Sequence, residues 1–81
     1  MPQVRVFGGL RDAVNGAESI QVEGTSIREL LQNLSRDYPP MRQRIEQGIA
    51  IAIDGVIYRD DWEQRIPEGA EVGLLSRIAG G

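Results

Sequence analysis

The segment PEGAEVGLLSRIAGG, residues 67–81, predicts a turn, then a strand, then an extended tail, and it decides the fold. Its strand covers residues 71–75, where alternation puts Val72 and Leu74 on one face. Both side chains are covered only if this strand pairs near the middle of a sheet. The natural neighbour is a first strand at residues 3–7. We therefore expect the N-terminal and C-terminal strands to lie side by side.

An amphipathic helix is the longest element that the sequence predicts. Ser26 and Glu29 have the spacing of a capping box, in which each side chain satisfies an unpaired amide at the start of a helix. Four apolar residues then recur at helical spacing, namely Ile27, Leu30, Leu31 and Leu34. Pro39 and Pro40 end the helix. We expect a helix over residues 26–37 with one apolar stripe.

A hairpin is predicted before the helix. Residues 3–7 and 19–23 alternate apolar and polar side chains, which indicates two strands. Between them, Asn15-Gly16 favours a tight turn because both residues tolerate positive φ. Phe7 falls outside the alternation of its strand, so the pattern assigns it to no buried face.

A second hairpin is predicted after the helix. Residues 49–53 alternate Ile with Ala, and Asp54-Gly55 indicates a type I′ turn into a strand at residues 56–58. Residues 41–48 are predicted to form a short helical turn or an irregular connection. Trp62 is expected to be half-buried against the edge of the sheet.

The order of these elements is ββαββ with a closing strand, which predicts the α+β class. One amphipathic helix cannot bury its stripe alone, so it must cross one face of the sheet. A mixed sheet of four to five strands, crossed by one main helix and with its terminal strands adjacent, is a β-grasp. We expect the β-grasp domain to cover residues 1–75 and a flexible C-terminal tail to cover residues 76–81.

The composition limits the chemistry that side chains could perform. The 81 residues include no Cys and no His, and all nine basic residues are Arg. Disulfides, thiolate nucleophiles, a histidine general base and a lysine Schiff base are therefore excluded. A net charge of −3 disfavours nucleic acid as a partner. No apolar run is long enough to span a membrane, so a cytoplasmic protein is expected.

Two local motifs fall short of a binding site. Gly8-Gly9-Leu10 lacks the lysine and the helix start of a phosphate loop. Asp60, Asp61 and Glu63 lack the glycine and the spacing of a calcium loop, and they are interpreted as solvated surface. We therefore expect no metal, no bound cofactor and no enzyme activity from side chains alone.

The tail Ile78-Ala79-Gly80-Gly81 remains as the candidate site. Two residues without Cβ can enter a cleft too narrow for side chains and adopt any backbone angle that a partner requires. The carboxylate of Gly81 is then the one group that a partner could activate as an acyl donor. A frayed terminus without chemistry is the competing interpretation.

Five stretches together match a known family: residues 4–11 (VRVFGGLR), the helix at 26–37, residues 52–55 (AIDG), 66–72 (IPEGAEV) and 79–81 (AGG). They resemble the sulfur-carrier proteins of the MoaD/ThiS group, which are ubiquitin-like β-grasp proteins. The length is similar to that of the small subunit of molybdopterin synthase. The chain departs from that resemblance in two places. It has Ser76-Arg77 where such subunits usually carry prolines just before the end, and Leu74-Leu75 where family members tend to have aromatic residues at the exit of the last strand.

The resemblance implies a carrier and not an enzyme. An E1-like activating enzyme would use ATP to adenylate the carboxylate of Gly81, and sulfur would then displace AMP to leave a thiocarboxylate. A synthase large subunit or another acceptor would take that sulfur. The residues expected to contact partners are Phe7, Leu74, Leu75, Arg77, Ile78, Ala79 and Gly80. Because Leu74 shares a strand face with Val72, Phe7 and Leu75 are the expected exposed pair.

Several functions stay open at this point. Molybdopterin synthesis is expected from the length, with thiamine and cysteine synthesis as alternatives. A protein modifier conjugated through Gly81 and a non-catalytic interaction module are two further classes. Without lysine, the chain could not build side-chain-linked polymers of itself, although it could still modify other proteins.

Overall fold

The computed structural model describes residues 2–77, and within them it contains five strands, two α-helices and one 3₁₀ helix. The strands are β1 (Gln3–Val6), β2 (Ser19–Gln21), β3 (Ile49–Ile53), β4 (Val56–Tyr58) and β5 (Val72–Ser76). The helices are α1 (Ile27–Asp37) and α2 (Pro40–Gln47), and the 3₁₀ helix spans Gly8–Val14.

The strands form one mixed sheet in the order β2-β1-β5-β3-β4. The central strand β5 runs parallel to β1, with Val4 opposite Val72 and Val6 opposite Leu74. On its other side β5 runs antiparallel to β3, where Ile51 lies opposite Leu74. The predicted adjacency of the first and last strands is confirmed, and the fold is a β-grasp.

Helix α1 packs its apolar stripe into the hydrophobic core on one side of the sheet. The residues predicted to form this packing are all buried in one cluster: Ile27, Leu30, Leu31 and Leu34 of α1, with Val4, Val6, Ile51, Ile53 and Val72 of the strands. No described side-chain nitrogen or oxygen atom is buried without a hydrogen-bond partner. Among residues 2–77 no polar or charged residue is buried, so the core is apolar, as the helical and strand periodicities predict.

The start of α1 is fixed by the predicted Ser26 cap, while Glu29 bonds to the amide one residue before the one that a capping box pairs. The Oγ atom of Ser26 accepts a hydrogen bond from the Glu29 amide at 3.2 Å, and Oε1 of Glu29 accepts one from the Thr25 amide at 2.9 Å. Gly24 passes so close to the helix that a Cβ there would lie 2.7 Å from the Cα of Leu30. The absence of a side chain at Gly24 therefore sets how the chain enters α1.

Two helical segments go beyond what the sequence predicts. The 3₁₀ helix replaces the expected loop inside the first hairpin and buries Leu10, Ala13 and Val14. Helix α2 turns the expected short connection into an eight-residue helix, with Pro40 in its first turn and Met41 fully buried. The two prolines thus end α1, as predicted, and also begin α2.

The folded part extends slightly further than the predicted boundary after residue 75. Ser76 belongs to β5, and the amide of Arg77 donates a hydrogen bond to the carbonyl oxygen of Gly48 at 3.1 Å. The β5–β3 ladder therefore continues into two residues that were assigned to the tail. None of the helices in residues 2–77 has the length and apolar character needed to cross a bilayer.

Candidate functional site

The candidate site begins where β5 ends. Four of the predicted site residues, Ile78, Ala79, Gly80 and Gly81, lie outside the described residues. Their roles and the expected flexibility of the tail therefore stay predictions. The structure instead defines the base of the tail and the sheet face beside it.

Arg77 forms the base of the tail, and it is bonded to two separate segments. Its backbone amide donates to the carbonyl oxygen of Gly48, just before β3. Its Nη1 atom donates to Oδ1 of Asp60 at 3.1 Å and to the carbonyl oxygen of Arg59 at 3.3 Å. Arg59 and Asp60 follow β4, so the side chain of Arg77 reaches past the start of β3 to the loop beyond β4.

The face of the sheet turned away from α1, called here the outer face, carries one row of residues across all five strands. The pairing register aligns Ser19, Arg5, Gly73, Ala52 and Ile57 in that order. Gly73 and Ala52 in this row are small, and Arg5 and Ile57 on either side of them are large. A shallow depression of about 160 Å³ forms over the centre of this row.

Phe7 forms one wall of the depression. A Cβ on Gly73 would lie 3.0 Å from Cε2 of Phe7, so the aromatic ring rests directly against this glycine. The guanidinium carbon of Arg5 lies 5.5 Å from the centroid of the same ring, at a distance suited to a cation–π contact. Phe7 is still 39% exposed, which makes it available at the surface.

Leu74 and Leu75 lie on opposite faces of β5. Leu74 is fully buried and cannot contribute to an exposed patch, because its side chain points with Val72 into the core. The expectation that Leu74 contacts a partner is therefore wrong, whereas its predicted place on the same face as Val72 is confirmed. Leu75 is half-buried on the outer face opposite Ala50, close to the base of the tail.

Ile57 is 47% exposed and ends the row on β4, and it was not among the residues predicted for the site. The signal was present in residues 49–53, where the Ala positions define the outer face. Pairing those positions across the Asp54-Gly55 turn puts Ile57 opposite Ala52. Its membership of the outer face follows from the register of the hairpin.

The described side chains of the outer face and of the base of the tail form a surface suited to binding. Among residues 2–77, no group of three or more Asp or Glu side chains is arranged to hold a metal ion. Asp60, one of the three acids considered for a calcium loop, instead pairs with Arg77. The outer face and the base of the tail are therefore suited to recognition by another molecule.

Comparison with known proteins identifies the family. The sequence profile of the ThiS family matches residues 4–81, which is nearly the whole chain and includes the final Gly80-Gly81. No curated protein sequence matches the chain with significance. The chain belongs to the ThiS family, a family of small ubiquitin-like sulfur carriers and modifiers.

Solved structures share the fold over nearly the whole chain. The small archaeal modifier protein 1 (SAMP1) of Methanosarcina acetivorans is 26% identical, with a TM-score of 0.81 and coverage of 98% of this chain and 94% of that one. A chain of the BexX/CysO complex of Amycolatopsis orientalis is 18% identical, with a TM-score of 0.80 and full coverage of both chains.

A third structure extends this set. It is a chain in the complex of subunits 1 and 2 of the molybdopterin-converting factor of Helicobacter pylori. It is 20% identical, with a TM-score of 0.67 and coverage of 98% of this chain and 96% of that one. Two of the three proteins are thus seen in complex with a partner protein.

Proposed function

We propose that this protein is a sulfur carrier whose Gly81 carboxylate is activated with ATP and converted to a thiocarboxylate. The observation that carries the proposal is the ThiS family match, which continues through Gly81 itself. The fold supports it, because β5 delivers the chain to Arg77 with four further residues to reach a partner's site. Four extended residues span roughly 13 Å, enough to enter a cleft.

The chemistry needs a carrier with little reactivity of its own. An oxygen of the Gly81 carboxylate attacks the α-phosphorus of ATP, and pyrophosphate leaves. Hydrosulfide supplied by the partner system then attacks the acyl carbon, AMP leaves with the C–O bond electrons, and loss of the proton from sulfur leaves the thiocarboxylate. The absence of Cys and Lys from the chain removes the internal nucleophiles that could capture the acyl adenylate.

The outer face is the proposed docking surface for the partner. It combines exposed Phe7 and Ile57 with a depression over Gly73 that can accept a partner's side chain. Leu75 connects this face to the base of the tail. Docking here would therefore place the tail at the edge of the interface, next to the site that it must enter.

The sulfur acceptor proposed from the length of the chain is a synthase in molybdopterin synthesis. Partners that make thiamine or cysteine are the alternative acceptors, and the carrier chemistry is the same for all three. The cytoplasmic location expected from the sequence stays a prediction. The activating enzyme binds the ATP. The protein itself is therefore proposed to be a carrier that binds no cofactor and is not an enzyme.

Conjugation to other proteins is the second candidate function, and the 26% identity to an archaeal modifier protein favours it. It uses the same first step, because an acyl adenylate at Gly81 can react with a lysine amine as well as with sulfur. The chain has no lysine to accept a second copy. Any conjugate on a target lysine would therefore carry a single carrier unless the N-terminal amine is used.

The first step can be tested by exchange of labelled pyrophosphate into ATP by the activating enzyme from the same source. We expect exchange that depends on the full-length carrier and is lost when Gly81 is deleted. Circular dichroism of the deletion variant serves as the control, since residues 2–77 should keep their fold. Equal exchange with and without Gly81 would refute activation at this residue.

A further inference from the structure

Arg77 makes more contacts than the end of a strand requires. Its amide continues the β5–β3 ladder to Gly48, while its guanidinium leaves the ladder to reach Asp60 and Arg59. These groups lie in two segments, one before β3 and one after β4. We call Arg77 together with Gly48, Arg59 and Asp60 the Arg77 clasp.

Gly48 lies beside the side chain of Arg77. The backbone of Gly48 has a φ of 115°, which L-residues rarely adopt. A Cβ built there would lie 3.6 Å from Cβ and 3.9 Å from Cδ of Arg77, so the arginine stem runs alongside this glycine. Both distances are ordinary van der Waals separations, so the backbone angle at Gly48, and not a lack of space, is what favours glycine here.

We propose that Arg77 is a positioning residue that fixes the point on the fold from which residues 78–81 continue. The inference rests on the proposed function and deepens it. Four residues separate Arg77 from the terminal carboxylate. Holding Arg77 in place raises the effective concentration of that carboxylate at a partner's reaction centre. The clasp supplies that place with one backbone and two side-chain hydrogen bonds.

The clasp differs from the simplest role for an exposed arginine, which is direct attraction of an acidic partner. In that role Asp60 would compete with the partner for the guanidinium. Removing Asp60 would then leave binding unchanged or improve it. In the clasp, Asp60 holds Arg77 in place. Replacing either residue with alanine should therefore lower kcat by a similar factor. Asp60→Ala therefore separates the two roles.

The experiment measures ATP–pyrophosphate exchange by the activating enzyme over a range of carrier concentrations. For Arg77→Ala and for Asp60→Ala we expect kcat to fall by about twofold to fivefold, the range for an exposed ion pair, with little change in KM. The double variant should lose no more than either single variant, because both changes open the same clasp.

Hydrogen exchange supplies a second readout that does not depend on the partner. The amide of Arg77 should exchange about twofold to fivefold faster in Asp60→Ala, because local opening at this amide is then less costly. The matched control is Glu63→Ala, which breaks the exposed Arg28–Glu63 pair (2.7 Å) at the start of α1. It should change neither the exchange of the Arg77 amide nor kcat.

The possible failures are distinguishable. Wild-type carrier that supports no exchange of pyrophosphate would refute the proposed function. Wild-type exchange with an Asp60→Ala variant of unchanged kcat would refute the clasp alone. A rise in KM for Arg77→Ala, with unchanged or lower KM for Asp60→Ala, would show that Arg77 contacts the partner directly.

Discussion

Truncation of Leu30 to alanine should bring this small domain close to unfolding. Leu30 is 1% exposed and lies in the middle of the buried stripe of α1, beneath Gly24. Removing three buried carbon atoms and leaving a cavity costs about 2–5 kcal/mol. A domain of 81 residues has roughly 4–12 kcal/mol of stability in total, so the loss is a large share of it.

The loss of unfolding free energy can be measured by urea unfolding. The readout is the fluorescence of Trp62, the single tryptophan, which packs against the core. In a thermal melt, at about 4–8 °C per kcal/mol, a loss of about 2–5 kcal/mol should lower the melting temperature by roughly 8–40 °C. Gln32→Ala is the matched control, because Gln32 is exposed on the same helix. A Leu30→Ala variant as stable as Gln32→Ala would refute the packing of α1.

Two further variants test other parts of the account. Gly24→Ala should destabilise the fold by about 1–3 kcal/mol in thermal melts, because its Cβ would press on the backbone of Leu30. Gly9→Ala is the control and should be close to neutral, since only Nη1 of Arg44 comes within 4.0 Å of the added Cβ. Ile57→Asp should weaken partner binding at least tenfold in calorimetry, because it places a charge in the apolar part of the outer face. Val56→Asp is its control, since Val56 is 53% exposed on the same strand but points to the opposite face. Equal weakening by both substitutions would contradict docking through the outer face.

Much of the fold could be predicted from local patterns. The apolar stripe of α1 and the alternation of β1, β3 and β5 each repeat within a few residues, so periodicity alone reveals them. The adjacency of β1 and β5 followed from the need to cover Val72 and Leu74. The 3₁₀ helix at Gly8–Val14 escaped prediction because a short element of this kind has no comparable repeat.

The site was less accessible to prediction for a different reason. The guanidinium of Arg77 bonds to positions 17 and 18 residues earlier in the sequence, and an arginine near the end of a strand gives no local sign of such partners. The row across the outer face depends on the register of four strand pairs at once. Gly73 gives no sign in the sequence that an aromatic ring rests on it.

The mass of the C-terminal peptide tests the central claim most directly. The protein is incubated with its activating enzyme, ATP and a sulfur source, cleaved after Arg77, and the peptide Ile78–Gly81 is measured. We expect a mass gain equal to one sulfur in place of one oxygen, confined to this peptide. An unchanged peptide mass, or a Gly81 found joined to lysines of other proteins without any gain of sulfur, would contradict it.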